Sequence, residues 1–204
     1  MTNNAIPQMI DMMFDVEGDS LPAAYPFALW PALVQHVPQL ANENFIGVLP
    51  LRSSVNNQGM ILSKRAKLTL RLPVTLADSV TACLAGQQLD INGNTIRLGT
   101  SKVRPIQPFP TIHAQMVAGK TDEVLFIKDI NMQLKELGVT GNLICGKRHF
   151  LSSEQHHING FSLVIHDLKP EASLKLQYAG LGGSRQFGCG IFIPYKVITG
   201  LSDD

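Results

Sequence analysis

Gly180-Leu181-Gly182-Gly183-Ser184-Arg185-Gln186-Phe187-Gly188-Cys189-Gly190-Ile191-Phe192 is the most informative stretch of the chain. Five of its thirteen residues are glycine, and two Gly-apolar-Gly triplets are separated by five residues that include Arg185. Glycine permits positive φ and lets a ligand approach the main chain closely. Successive exposed N–H groups can cradle phosphate, and a single cation inside the loop adds charge. The bland alternative is a flexible turn before an edge strand. A lone Gly-x-Gly would favour that turn, whereas the doubled triplet with an internal Arg, between a helix and a terminal strand, is far more specific. A dinucleotide fingerprint belongs in the first βα unit, with an acid about 20 residues on. Here the glycines lie near the C-terminus and no Gly-Lys-Ser or Gly-Lys-Thr follows, so Rossmann and P-loop readings fail on placement.

Working outward from the loop, Pro170–Tyr178 reads as a helix with proline in its first turn, and Gly190–Pro194 as the last strand. Thr111–Val117, Leu143–Leu151 and Phe161–His166 read as strands, and Asp122–Leu137 as an amphipathic helix closed by Gly138. The first half has the same order. Met9–Val16 is a strand, and Ala23–Val37 a helix in which Pro31 argues for a kink or a late start. Phe45–Leu49, Met60–Leu62 and Ala66–Leu72 are strands, with Leu51–Gly59 a polar loop. Val74–Leu84 is a helix. Leu89–Ile91 and Thr95–Leu98 flank Asn92-Gly93-Asn94, a hairpin turn signal. Residues 99–110, with Pro105, Pro108 and Pro110, read as a connector. Each half approximates β-α-β-β-α-β, the ferredoxin-like order. The expected fold is therefore α+β, with two tandem ferredoxin-like domains over 1–105 and 106–204, the second carrying the C-terminal glycine-rich loop 180–190. The halves share no obvious sequence repeat; the duplication rests on element order.

The composition bounds the function classes. With 204 residues, 45% hydrophobic and 16% charged, the chain is globular rather than wholesale disordered. No stretch approaches the roughly 20 apolar residues of a membrane span, and the N-terminus lacks a basic region followed by an apolar run. Cys83, Cys145 and Cys189 form neither a metal pattern nor an even disulfide set, which points to a reducing, cytoplasmic compartment. The net charge of +1 hides an asymmetry. Residues 1–50 carry five acids and no Lys or Arg; residues 51–105 carry eight basic residues against Asp78 and Asp90; residues 106–204 balance nine against nine. A near-neutral total does not exclude a polyanion, because binding depends on the local field. Basic residues spread over solvated faces would give the same count.

The glycine loop fits the pattern Gly-apolar-Gly-x5-Gly-apolar-Gly of the RAMP superfamily of CRISPR-associated proteins. The resemblance extends to Met9-Ile-Asp-Met-Met-Phe-Asp-Val16, Ser63-Lys-Arg-Ala-Lys-Leu-Thr-Leu-Arg-Leu-Pro73, Val103-Arg-Pro105, Ile144-Cys-Gly-Lys-Arg148 and Phe187-Gly-Cys-Gly-Ile-Phe192. Together these segments resemble the Myxan-subtype branch of the Cas Six family. The resemblance implies an endoribonuclease that cuts CRISPR repeat transcripts into guide RNAs, without metal or cofactor. It further implies 2′-hydroxyl attack, leaving a 2′,3′-cyclic phosphate and a 5′-hydroxyl. The implied partners are repeat RNA, as precursor and product, and other subunits of a CRISPR effector complex.

Such a reaction needs a group to take the 2′-proton, a donor to the leaving 5′-oxygen and a cation for the phosphorane charge. Histidine suits the proton transfers. Family members commonly place the catalytic His in or near the first helix, where His36 is the sole histidine; a surface or capping role is its alternative. Tyr25 begins that helix and is a second candidate, unless it packs beside Phe27. His149, next to Lys147 and Arg148, is the third. His156 and His157 read as solvated loop residues. Lys64, Arg65, Lys67, Arg71, Arg104, Lys147 and Arg148 read as RNA-backbone contacts, with Lys67 and Arg71 on the outer face of their strand. Gly182, Gly183, Ser184, Arg185 and Gly188 are the loop's expected RNA contacts. Two rival readings remain open. One is a non-catalytic RNA-binding subunit of such an effector complex. The other, an unrelated ferredoxin-like enzyme with a small phosphorylated ligand, leaves the basic block of 51–105 unexplained.

Overall fold

The structure, a computed structural model, describes residues 6–56 and 59–195. The fold is α+β. In chain order the first half contains β1 (Met9–Glu17), β2 (Ser20–Leu21), α1 (Tyr25–His36), β3 (Gly47–Val48), β4 (Ser53–Asn56) and β5 (Gly59–Leu62). It continues with β6 (Lys67–Pro73), α2 (Ala77–Leu84), β7 (Gln88–Ile91) and β8 (Asn94–Pro105). The second half contains β9 (Ile112–Ala118), α3 (Glu123–Glu136), β10 (Asn142–Ser152), β11 (His157–His166), α4 (Pro170–Ala179) and β12 (Ile193–Pro194).

The strands assemble into three antiparallel sheets, ordered β3-β6-β1-β8-β7, β10-β11-β9-β12 and β2-β5-β4. Alternation on β1 decides the packing of the first sheet. Ile10, Met12, Phe14 and Val16 face α1 and α2, where they meet Leu29, Leu33, Val80 and Leu84 in one core. Asp11 and Asp15 point to the other face. A separate core holds Ile112, Ala114, Phe126, Ile130, Leu134, Leu163, Ile165, Leu176 and Phe192. Each core buries its helices' apolar stripes against one face of one sheet, the arrangement hydrophobic periodicity demands.

Several sequence expectations need correction. β8 runs on to Pro105, so the expected connector over 99–110 shrinks to the residues between β8 and β9. Its prolines mislead because Pro105 is the terminal strand residue, where a missing N–H costs the ladder nothing. The expected polar loop over Leu51–Gly59 contains β4, which pairs with β5 from Ser53↔Leu62 to Asn56↔Gly59; residues 57 and 58 of that stretch lie outside the described residues. Pro31 lies inside α1 without ending it. The last strand is only Ile193–Pro194. The Asn92-Gly93 turn has φ of 52° and 82°, the paired positive values of a two-residue hairpin.

Candidate functional site

The glycine loop leaves α4 at Gly180 and folds back on itself. Leu181 N–H donates to Gly190 O, Cys189 N–H to Ser184 O, and Gly190 N–H to Met116 O on β9. Packing fixes most of its glycines. Gly182 has φ of +78°, and a side chain there would run into the backbone of Ala118; its N–H donates to Gln133 Oε1 at 2.8 Å. A Cβ on Gly180 would collide with the Arg185 guanidinium. Gly188 sits against Pro50 and Val48, with its N–H bonded to Arg185 O. The expected RNA contacts at Gly182 and Gly188 are thus committed to internal packing. Gly183 differs: it is exposed and a Cβ would meet nothing within 4 Å. No hydrogen bond among the described residues uses the N–H groups of Gly183, Ser184, Arg185 or Gln186. Four successive unused donors, running from Gly183 into the short 3-10 turn of Arg185–Phe187, are the makings of an anion cradle.

Arg185 corrects another expectation. Its side chain turns inward rather than toward a ligand: only 7% is exposed, and one Nη2–H donates to Phe45 O of the first half at 3.2 Å. Its Nε and Nη1 have no protein partner. Burial, reinforced by the positive charge of Arg71 and opposed by Asp11, pulls its pKa down to about 9. Arg185 thus reaches from the loop to the first half with one of its nitrogens satisfied and two not.

Arg71 is likewise not a surface contact. It shares its strand face with Lys67, as alternation predicts, but the second half covers that end of the face and leaves Arg71 1% exposed. It donates to both Asp11 oxygens, and its Nη1 donates to the carbonyls of Gln177 and Phe192. Arg104 on β8 reaches Asp11 from the other side at 3.3 Å and stays exposed. Lys67 is exposed and forms an ion pair with Asp15 directly across the ladder. Lys64 and Arg65 are exposed in the β5–β6 turn. Lys102, which sequence reading passed over, lies opposite Met13 on the face that carries Arg104. The i, i+2 spacing of Lys102 and Arg104 was the available signal. Lys147 and Arg148 are exposed at a bulge in β10, an edge strand.

Of the three catalytic candidates, Tyr25 and His36 stand at opposite ends of α1. Tyr25 is buried, its hydroxyl accepts from Leu51 N–H at 2.9 Å, and burial raises its pKa. The oxygen therefore serves as a structural acceptor that ties α1 to Leu51. His36 is half-buried at the far end of α1, with Nδ1 on Ala32 O at 3.0 Å. His149 is half-buried on β10, opposite Gly160.

The structure instead brings together three aromatic rings that the sequence separates. His156 stacks on Phe27 of α1, centroids 5.1 Å apart and planes 17° from parallel. Phe187, which ends the glycine loop's short turn, lies 4.9 Å from Phe27 and 6.4 Å from His156. The expectation of a merely solvated His156 therefore changes: the ring is exposed, yet docked where α1, the β10–β11 turn and the glycine loop meet. Nothing local in the sequence signalled this. Among the described residues, no cluster of three or more His, Cys, Asp or Glu side chains is placed to hold a metal ion.

The Cas6 Crispr family model matches residues 10–197. The chain belongs to the Cas6 family. A CRISPR-associated endonuclease Cas6 of Myxococcus xanthus (strain DK1622) is 32% identical over 187 residues, covering 91% of this chain and 81% of that protein. Cas6 relatedness thus spans both halves, consistent with membership in the RAMP superfamily of CRISPR RNA-processing endoribonucleases. Among solved structures, a CRISPR associated protein Cas6 superimposes with a TM-score of 0.72 at 9% identity, over 93% of this chain and all of that one. The product of a Cas6-related gene from Pyrococcus furiosus gives 0.67 at 12% identity, over 91% of this chain and 98% of that one. A RAMP protein binding different RNA substrates gives 0.65 at 11%, with the same coverages. At these identities the superpositions speak to the fold alone.

Proposed function

We propose that this chain binds a CRISPR repeat transcript and cuts it into guide RNA, within the Myxan-subtype branch of the Cas6 family. The Myxococcus relative, alike over 91% of the chain, supports the branch and the activity. The observation that carries the RNA reading is the run of unused N–H donors over Gly183–Gln186, close to the exposed His156 ring. A phosphate seated there completes the donors' hydrogen bonding, and the exposed Lys64, Arg65, Lys102, Arg104, Lys147 and Arg148 supply backbone attraction. Few aromatic residues, 6% of the chain, favour recognition of hairpin shape and phosphates over extensive base stacking.

The chemistry is a transesterification. The 2′-oxygen attacks the adjacent phosphorus, the bond to the 5′-oxygen breaks, one proton leaves the 2′-hydroxyl and one reaches the 5′-oxygen. The products are a 2′,3′-cyclic phosphate and a 5′-hydroxyl, and no metal is required. His36 and His149 are the candidates that the sequence raises for taking the 2′-proton. Each half is read as a ferredoxin-like domain, 1–105 and 106–204. That reading rests on the central strand order β3-β6-β1-β8, repeated as β10-β11-β9-β12, and on the two separate cores. A cytoplasmic location and docking with other effector-complex subunits belong to the same reading.

Tyr25 and His36 stand at opposite ends of α1 rather than together, which favours one alternative, a non-catalytic RNA-binding subunit. Incubating end-labelled repeat RNA with the protein in EDTA separates them. Cleavage supports the enzyme; tight binding without cleavage supports the subunit.

A further inference from the structure

We propose that His156 is the general acid, protonating the 5′-oxygen as the phosphorus–oxygen bond breaks. This rests on the cleavage reading above and adds to it the residue for one of the two proton transfers.

Placement is the first argument. The phosphate cradle of Gly183–Gln186 ends at Phe187, and Phe187 faces both Phe27 and His156. A proton donor must come within hydrogen-bond reach of the leaving oxygen, which favours the imidazole at the cradle's end.

Orientation is the second. The turn that carries His156 is held from both sides: Ser153 N–H donates to His156 O at 2.8 Å, and His156 N–H donates to Ser153 Oγ at 3.1 Å. The ring lies flat on Phe27. No hydrogen bond among the described residues uses either of its ring nitrogens, whereas His36 and His166 each have Nδ1 engaged, by Ala32 O and Asp167 Oδ2.

The step balances. The imidazolium gives one proton to the 5′-oxygen, becomes neutral imidazole, and recovers a proton from water between turnovers.

The test compares wild type with His156→Phe, which keeps a stacked ring and removes the proton, in single-turnover cleavage of repeat RNA. A second RNA carries sulfur in place of the bridging 5′-oxygen at the cut site, a leaving group that needs no acid. His156→Phe is expected to slow the oxygen substrate about 10²- to 10⁴-fold, to bind RNA as wild type does, and to cleave the sulfur substrate at nearly the wild-type rate. His157→Ala, at the exposed neighbour, is expected to cleave both normally. An unchanged oxygen rate, equal slowing on both substrates, or a loss of rate matched by a loss of affinity overturns the assignment. If wild type binds repeat RNA and cleaves neither substrate, the endonuclease reading itself falls.

Discussion

Arg71 on β6 and Asp11 on β1 stand opposite each other in the ladder and share two hydrogen bonds, Nε to Oδ1 at 2.8 Å and Nη2 to Oδ2 at 3.0 Å. The remaining nitrogen, Nη1, reaches out of the first half to the carbonyls of Gln177 at 3.1 Å and Phe192 at 2.6 Å. One buried ion pair thereby ties the first sheet to α4 and to the end of the glycine loop. The loop's position relative to α1 depends on this tie.

Replacing Arg71 with Leu leaves the Asp11 carboxylate buried with only Arg104 beside it and strands two carbonyls. Removing one partner of a buried pair typically costs about 3–5 kcal/mol. Denaturant unfolding of Arg71→Leu is expected to show a loss in that range. A loss below about 1 kcal/mol would mean that the pair does not hold the halves together.

Arg185 predicts the opposite sign of sensitivity. Its folded pKa of about 9 lies well below the ordinary guanidinium range, so the folded state disfavours its charge. Below about pH 9 both states are protonated and that penalty is fully present. Above about pH 9 the folded state gives up its proton while the unfolded state keeps it, so stability rises with pH there. Arg185→Met should match or exceed wild-type stability at pH 7, and wild type should gain on it from pH 8 to 10. A large destabilisation of Arg185→Met at pH 7 would contradict this.

Within the loop, adjacent glycines should behave differently. Gly182→Ala meets the Ala118 backbone at φ of +78° and should cost at least about 1 kcal/mol. Gly183→Val meets open space and should leave thermal unfolding nearly unchanged while weakening repeat-RNA binding. Equal stability effects at both positions would refute the division between a packed and a ligand-facing glycine.

Lys64→Ala with Arg65→Ala should weaken repeat-RNA binding and shallow the slope of log K against log salt, by up to about one unit for each phosphate no longer neutralised. Lys67→Ala should do less, because Asp15 already pairs with Lys67. Filter binding across a salt series reads both; an unchanged slope in the double variant would remove the basic turn from the interface.

These contrasts also mark what the sequence could and could not disclose. Local chemistry was legible: Asn92-Gly93 turned the hairpin, Pro170 opened α4, and alternation on β6 put Lys67 and Arg71 on one face. What lay against that face was not legible. Arg71 and Lys67 look alike along the strand, yet only Arg71 is capped by the second half, since burial there depends on how the two cores dock. The loop's Arg185 read as a ligand cation because its spacing matched a pattern, and no pattern encodes which way a side chain turns. Long-range convergence hid His156 most completely. Its meeting with Phe27 and Phe187 arises from three distant segments folding to one point, with no periodicity to announce it.

The most direct test of the account is the chemistry of the cut ends. Repeat RNA incubated with the protein in EDTA should yield a 2′,3′-cyclic phosphate on the upstream product and a 5′-hydroxyl on the downstream one. A single 2′-deoxy substitution at the cut nucleotide should abolish cleavage without weakening binding. Bound but uncut RNA, cutting that persists through the 2′-deoxy position, or 5′-phosphate ends would contradict it.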